Sequence, residues 1–215
     1  MADGPPLETE PSQEPSGGRR AWRELPVLIL IALVVAIVLK SFLVQAFVIP
    51  STSMVPTLRQ GDRVLVCRVC TRVVGVHRGE IVVFADPNPT RVQDRGLVGG
   101  FVHWLGQGIG VAQPENPDFI KRVIGLPGDV VEIDRGQVIV NGHPLNEPYL
   151  DPNRDTRSFG AVRVPPGMLY VLGDNRLVSG DSRFPPGTGV GFVPEDKVIG
   201  RAFMIVWPPS RWGWL

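Results

Sequence analysis

The stretch Ile49-Pro50-Ser51-Thr52-Ser53-Met54-Val55-Pro56-Thr57-Leu58 sets two serines two residues apart between two prolines. Proline fixes φ, so the backbone here is stiff. On extended backbone the hydroxyls of Ser51 and Ser53 point to the same side. A serine hydroxyl is a weak nucleophile at its own pKa and needs a base beside it. Histidine, aspartate, glutamate or lysine can be that base. His77, His103 and His143 lie in turn-like or loop segments with no acid at a telling spacing. A Ser-His-Asp arrangement stays open, because triads form by geometry and not by order. Lys121 is more suggestive, within Asp118-Phe119-Ile120-Lys121-Arg122-Val123-Ile124-Gly125. Only three of the 22 basic residues are lysine, and arginine cannot act as a base near neutral pH. An amine buried without a counter-charge falls from about 10.4 by as much as several units. Once neutral, it can take the proton of Ser53. The same pattern equally fits a strand lysine pointing to solvent beside Arg122.

The elements that must hold these residues read as β. Arg63 to Arg68, Glu80 to Ala85, Val130 to Asp134, Gln137 to Asn141, Met168 to Leu172 and Lys197 to Val206 are β-branched runs between turn residues. Asp134-Arg135-Gly136-Gln137 is a hairpin turn signal. With 25 glycines and 22 prolines, the expected fold is mostly β: antiparallel sheets, with an inserted β-subdomain over roughly residues 130–166. Residues 96–111 break the pattern. Leu97, Phe101 and Leu105 recur at helical spacing, although six glycines oppose a long helix. A core-covering loop or short helix is the plain reading; a segment dipping into a bilayer surface is the sharper one.

Residues 1–24 are rich in Pro, Gly, Ser and acids and read as a disordered tail. Residues 25–48 are apolar except near Lys40, Ser41 and Gln45, and about 20 such residues cross a bilayer as a helix. Arg19, Arg20 and Arg23 before the run place the N-terminus in the cytoplasm and residues 49–215 outside it. Lys40 can snorkel to the outer interface. A cleaved secretory signal is the rival. It is opposed by the long, partly acidic leader and by apolar character that resumes after Lys40. The tail Trp207 to Trp214 is too short for a second crossing. A formal net charge of +1 in 215 residues gives no reason to expect a nucleic-acid partner. Cys67-Arg68-Val69-Cys70 has no second pair with which to complete a zinc site. Two packed thiols are the expected state, ahead of a disulfide or redox role.

Three segments together resemble bacterial type I signal peptidase, the membrane-bound leader peptidase. They are the serine stretch with Gly61-Asp62, the lysine stretch through Gly125-Leu126-Pro127-Gly128-Asp129, and Gly173-Asp174-Asn175-Arg176-Leu177-Val178-Ser179-Gly180-Asp181-Ser182-Arg183. The resemblance covers Pro26 to about Phe203. It implies a Ser-Lys dyad without metal or cofactor, with Ser53 as nucleophile and Lys121 as general base. By the same resemblance Ser179 hydrogen-bonds and orients the amine, and Ser51 joins the Ser53 N–H in an oxyanion hole. Asp181 and Arg183 form an ion pair that shapes the site, with Asp174 and Asn175 in support. Phe47, Ile49, Pro50, Met54, Leu58, Phe119 and Ile120 match the family's pocket walls. Ordinary core packing is the competing account of all seven, as turn chemistry is of the serines. The implied partners are preproteins bearing signal peptides and the lipid bilayer, near the export translocon. Two rivals are a self-cleaving Ser-Lys regulator and a membrane-tethered β-domain that binds a partner without catalysis.

Overall fold

The computed structural model describes residues 26–31, 33, 43–87, 119–151 and 155–215. The chain divides into two compact units, Met1–Lys40 and Ser41–Leu215. In the first, residues 26–31 and 33 are α-helical. Val27, Leu28, Ile29, Leu30, Ile31 and Leu33 are all exposed there. Among these described residues apolar side chains stand on every side, with none that is polar. Among the described residues no helix is long and apolar enough to cross a membrane. Much of the predicted span, and all of residues 96–111, lies outside the described residues.

The C-terminal end of the predicted span is a strand instead. Val44–Val48 forms β1, and its five residues pair antiparallel with β2 (Arg63–Cys67). A short apolar run does not by itself distinguish helix from strand. Here a waiting partner edge decides it.

The second unit holds two antiparallel sheets. The larger runs in the order β1, β2, β11 (Val198–Trp207), β3 (Ile81–Phe84), β4 (Phe119–Gly125), β9 (Met168–Leu172) and β10 (Val193–Pro194), with β12 (Gly213–Trp214) paired to β11. The smaller runs β7 (His143–Pro144), β6 (Gln137–Val140), β5 (Val130–Asp134) and β8 (Phe159–Arg163). Every strand predicted from the sequence is present with ends displaced by at most one residue. The β5–β6 hairpin turns at Arg135 and Gly136, both at positive φ. Such a turn matches the twist of the flanking strands.

β4 and β9 lie in the interior of the larger sheet, and from Ile120 and Leu169 onward every residue of the two strands is buried. Their sequences therefore read as runs without alternation. One core cluster joins Phe47, Ile49, Met54, Leu58, Val64 and Ile120, so the serine stretch is rooted in it. Another, with Ile124, Val131, Ile133, Val140, Tyr170 and Leu172, joins the two sheets.

Cys67 and Cys70 form a disulfide, contrary to the expectation of two free thiols. The chain turns from β2 into the one-turn helix α1 (Cys70–Val73) and brings the two Cα atoms to 5.5 Å, within bridging range.

Candidate active site

Lys121 sits on β4, opposite Val82 of β3. The solvent-facing alternative fails because the lysine is only 4% exposed. Its Nζ lies 2.8 Å from Ser53 Oγ and donates to the Ile120 carbonyl at 3.0 Å. Ser53, 9% exposed, lies beyond Ile49, whose backbone is clamped by exchange with Asp62 and Gly61 (2.8 and 2.9 Å). Ser51 Oγ is 3.3 Å from Ser53 Oγ, so both hydroxyls do reach one point.

Burial lowers the Lys121 pKa to about 8, against the opposing charges of Asp181 and Asp174. Desolvation penalises the ammonium more than those carboxylates favour it. Both carboxylates are themselves ion-paired. Arg122 Nε and Nη2 donate to Asp174 at 2.9 and 2.6 Å, and Arg183 Nε and Nη2 donate to Asp181 at 2.8 and 3.0 Å. Each guanidinium offsets a negative charge that would otherwise raise the lysine pKa.

β9 ends beside Arg122, with Leu172 opposite it, and so delivers residues 173–183 to the serine stretch. The Asn175 N–H donates to the Ser53 carbonyl at 3.0 Å and its amide nitrogen to the Thr52 carbonyl at 3.2 Å. Thr57 donates its hydroxyl to Asp174 at 2.5 Å. A Cβ at Gly173 would overlap the Ser179 hydroxyl and the Ser53 carbonyl, so only glycine permits this approach.

This pairing of a buried amine with a hydroxyl can generate an alkoxide-like nucleophile, with no other base required. A family model described as signal peptidase, peptidase S26, matches residues 22–207. The chain belongs to this family. A signal peptidase I of Mycobacterium tuberculosis is 38% identical over 235 residues, covering 94% of this chain and 78% of that one. A probable signal peptidase I-1 of Synechocystis is 41% identical over 189 residues, covering 87% and 84%. A signal peptidase I of Bacillus licheniformis is 32% identical over 189 residues, covering 84% and 86%.

Within this signal peptidase family member one expected contact is missing. Ser179 is buried, but its Oγ has no hydrogen-bond partner among the described residues. Lys121 Nζ is held by Ser53 and the Ile120 carbonyl instead. The Ser179 hydroxyl packs on Gly173. Of the seven predicted pocket residues, Phe47, Ile49, Met54, Leu58 and Ile120 share one core cluster. Met54 and Leu58 are 0% exposed, so they underlie the site rather than face it. Pro50 is exposed, and Phe119 is half-buried and stacked on Phe84.

The sequence reading missed the partners that hold these groups. Arg122 stood beside Lys121 in plain view; a charge inside a run buried on both faces was its signal. Thr57 and Asp155, which accepts from Arg183 Nη1 at 2.8 Å, gave none. The site partners of the two lie 117 and 28 residues away, although Asp155 also accepts from Arg157 two residues on.

Proposed function

We propose that this chain removes N-terminal signal peptides from exported preproteins, with Ser53 and Lys121 as a catalytic dyad. The observation that carries the reading is the 2.8 Å approach of a buried Lys121 Nζ to Ser53 Oγ. Ser53 Oγ attacks the scissile carbonyl carbon and gives its proton to neutral Lys121. The C–N bond then breaks, and Lys121 returns the proton to the leaving amine. Water, deprotonated by the same lysine, hydrolyses the acyl-Ser53 ester and releases the serine. The Ser51 hydroxyl, 3.3 Å from Ser53 Oγ, joins the Ser53 N–H in stabilising the tetrahedral oxyanion. Asp174 with Arg122 and Asp181 with Arg183 shape the site, and Asn175 holds the serine stretch.

The substrate binds as an added strand, placing alternate side chains in shallow pockets. Phe47, Ile49, Pro50, Phe119 and Ile120 edge these pockets, over Met54 and Leu58. Such walls admit small side chains, as signal peptides carry before the cut. Residues 25–43 act as a single anchor, cytoplasmic on the N-terminal side. The all-round apolar exposure of its described helical residues supports this, and so do Arg19, Arg20 and Arg23 before it. Catalysis then lies at the outer membrane surface, where chains leave the translocon.

The test is cleavage of a peptide with alanine at P3 and P1 by the full chain in detergent. Cutting after P1 that is lost in both Ser53→Ala and Lys121→Arg supports the dyad. Activity that survives Lys121→Arg removes it, because guanidinium stays protonated.

A further inference from the structure

The smaller sheet has no part in the chemistry just described, yet its β7–β8 connection reaches the segment that carries Asn175. Glu147, in that connection, accepts from Arg176 Nη1 at 3.2 Å and from Arg176 Nη2 at shorter range. The two side chains are 1% and 3% exposed. Arg176 Nε donates to the Gly173 carbonyl at 3.2 Å. Tyr149 donates its hydroxyl to Glu147 at 2.7 Å, and its ring lies 3.8 Å from the Arg122 guanidinium carbon. Arg122 in turn holds Asp174. Asp155, from the same connection, accepts from Arg183.

Each arginine of the 173–183 segment therefore meets a buried carboxylate supplied by the smaller sheet. We infer that Glu147 is a positioning residue for the Ser53 nucleophile, acting through Arg176, Gly173 and Asn175, and that Tyr149 braces the same segment through Arg122. Removing one partner of a buried ion pair leaves an uncompensated charge. Arg176 would then turn toward another acceptor and release the Gly173 carbonyl. Asn175, two residues on, fixes the Ser53 carbonyl, so the shift passes to Ser53 Oγ. An error of about 1 Å in a reacting atom can cost about a hundredfold in rate. Neither Glu147 nor Tyr149 reaches Ser53, and substrate binding is not predicted to change.

The inference rests on the dyad reading above. In the full chain in detergent, assayed well below each variant's melting midpoint, Glu147→Gln is expected to lower kcat about ten- to a hundredfold with KM within twofold. Arg176→Met should do the same, and the double variant should lose no more than either single, since all three release one segment. A folded Glu147→Gln with kcat within twofold of the parent overturns the inference, as does a loss confined to KM. If Glu147→Gln does not fold, Tyr149→Phe deletes only the hydroxyl that meets Glu147. A kcat about three- to tenfold lower then supports the inference, and an unchanged kcat overturns it. Ser53→Ala separates the two readings. Activity in Ser53→Ala sinks the dyad itself, whereas an inactive Ser53→Ala beside a fully active Glu147→Gln sinks only the positioning role.

Discussion

Replacing Lys121 by methionine should abolish cleavage and also stabilise the folded chain near neutral pH. The lysine pKa falls from 10.5 to about 8 on folding, and each unit is worth about 1.4 kcal/mol. Burying the protonated amine therefore costs about 3 kcal/mol at pH 7. Between pH 8 and pH 10.5 the unfolded chain keeps a proton that the folded chain has lost, so folding gains with rising pH across that window. Below pH 8 both forms are protonated and the penalty is complete. Above pH 10.5 both are neutral and it vanishes. By pH 9.5 about 2 kcal/mol should already be recovered. Methionine, similar in shape to the lysine stem, carries no such penalty at any pH. The advantage of Lys121→Met over the parent should thus shrink by about 2 kcal/mol between pH 7 and pH 9.5, or roughly 4–8 °C in melting midpoint. Comparing the two pH values cancels any packing difference that is constant with pH. The parent's kcat/KM should rise about tenfold per pH unit below pH 8 and level off above it. A Lys121→Met advantage that stays flat between pH 7 and pH 9.5 would refute a depressed lysine, and with it a base that becomes neutral near pH 8.

Two further outcomes are expected. Ser51→Ala should slow turnover about a hundredfold without abolishing it, the usual effect of losing one oxyanion donor, as read by kcat with Ser53→Ala as the baseline. Cys67→Ser with Cys70→Ser should lower stability by roughly 2 kcal/mol, because the bridge closes so short a loop. Urea unfolding with and without reductant measures this, and the double variant should show no response to reductant.

The sequence was most informative where local rules act alone. The Arg135-Gly136 turn and strands β2, β3, β5, β6, β9 and β11 were legible because turn chemistry and β-branched runs need no distant partner. Lys121 was only half legible. Its place in an apolar run was visible, but not the serine stretch that the fold lays against its amine. β1 was read as helix because its apolar residues continue a helical run and its pairing with β2 depends on residues nearly twenty positions away. The disulfide escaped because two cysteines three apart carry no sign of the turn between them. Glu147, Thr57 and Asp155 escaped for a different reason: a buried carboxylate or hydroxyl owes its environment to arginines and acids that only the fold brings near. Ser179 ran the other way. Its motif suggested a bond to the amine that packing against Gly173 does not make.

The serine stretch is fastened from far along the chain. Its backbone is gripped by Asn175, and Arg211 Nε donates to both oxygens of Asp62 at 3.1 Å while Nη2 meets the Thr57 carbonyl at 2.9 Å. Synthesis runs from the N-terminus, so Ser53 leaves the ribosome before Asn175 and Arg211, which grip its stretch. A chain made only through the serine stretch carries the hydroxyl without Lys121, the base proposed for it.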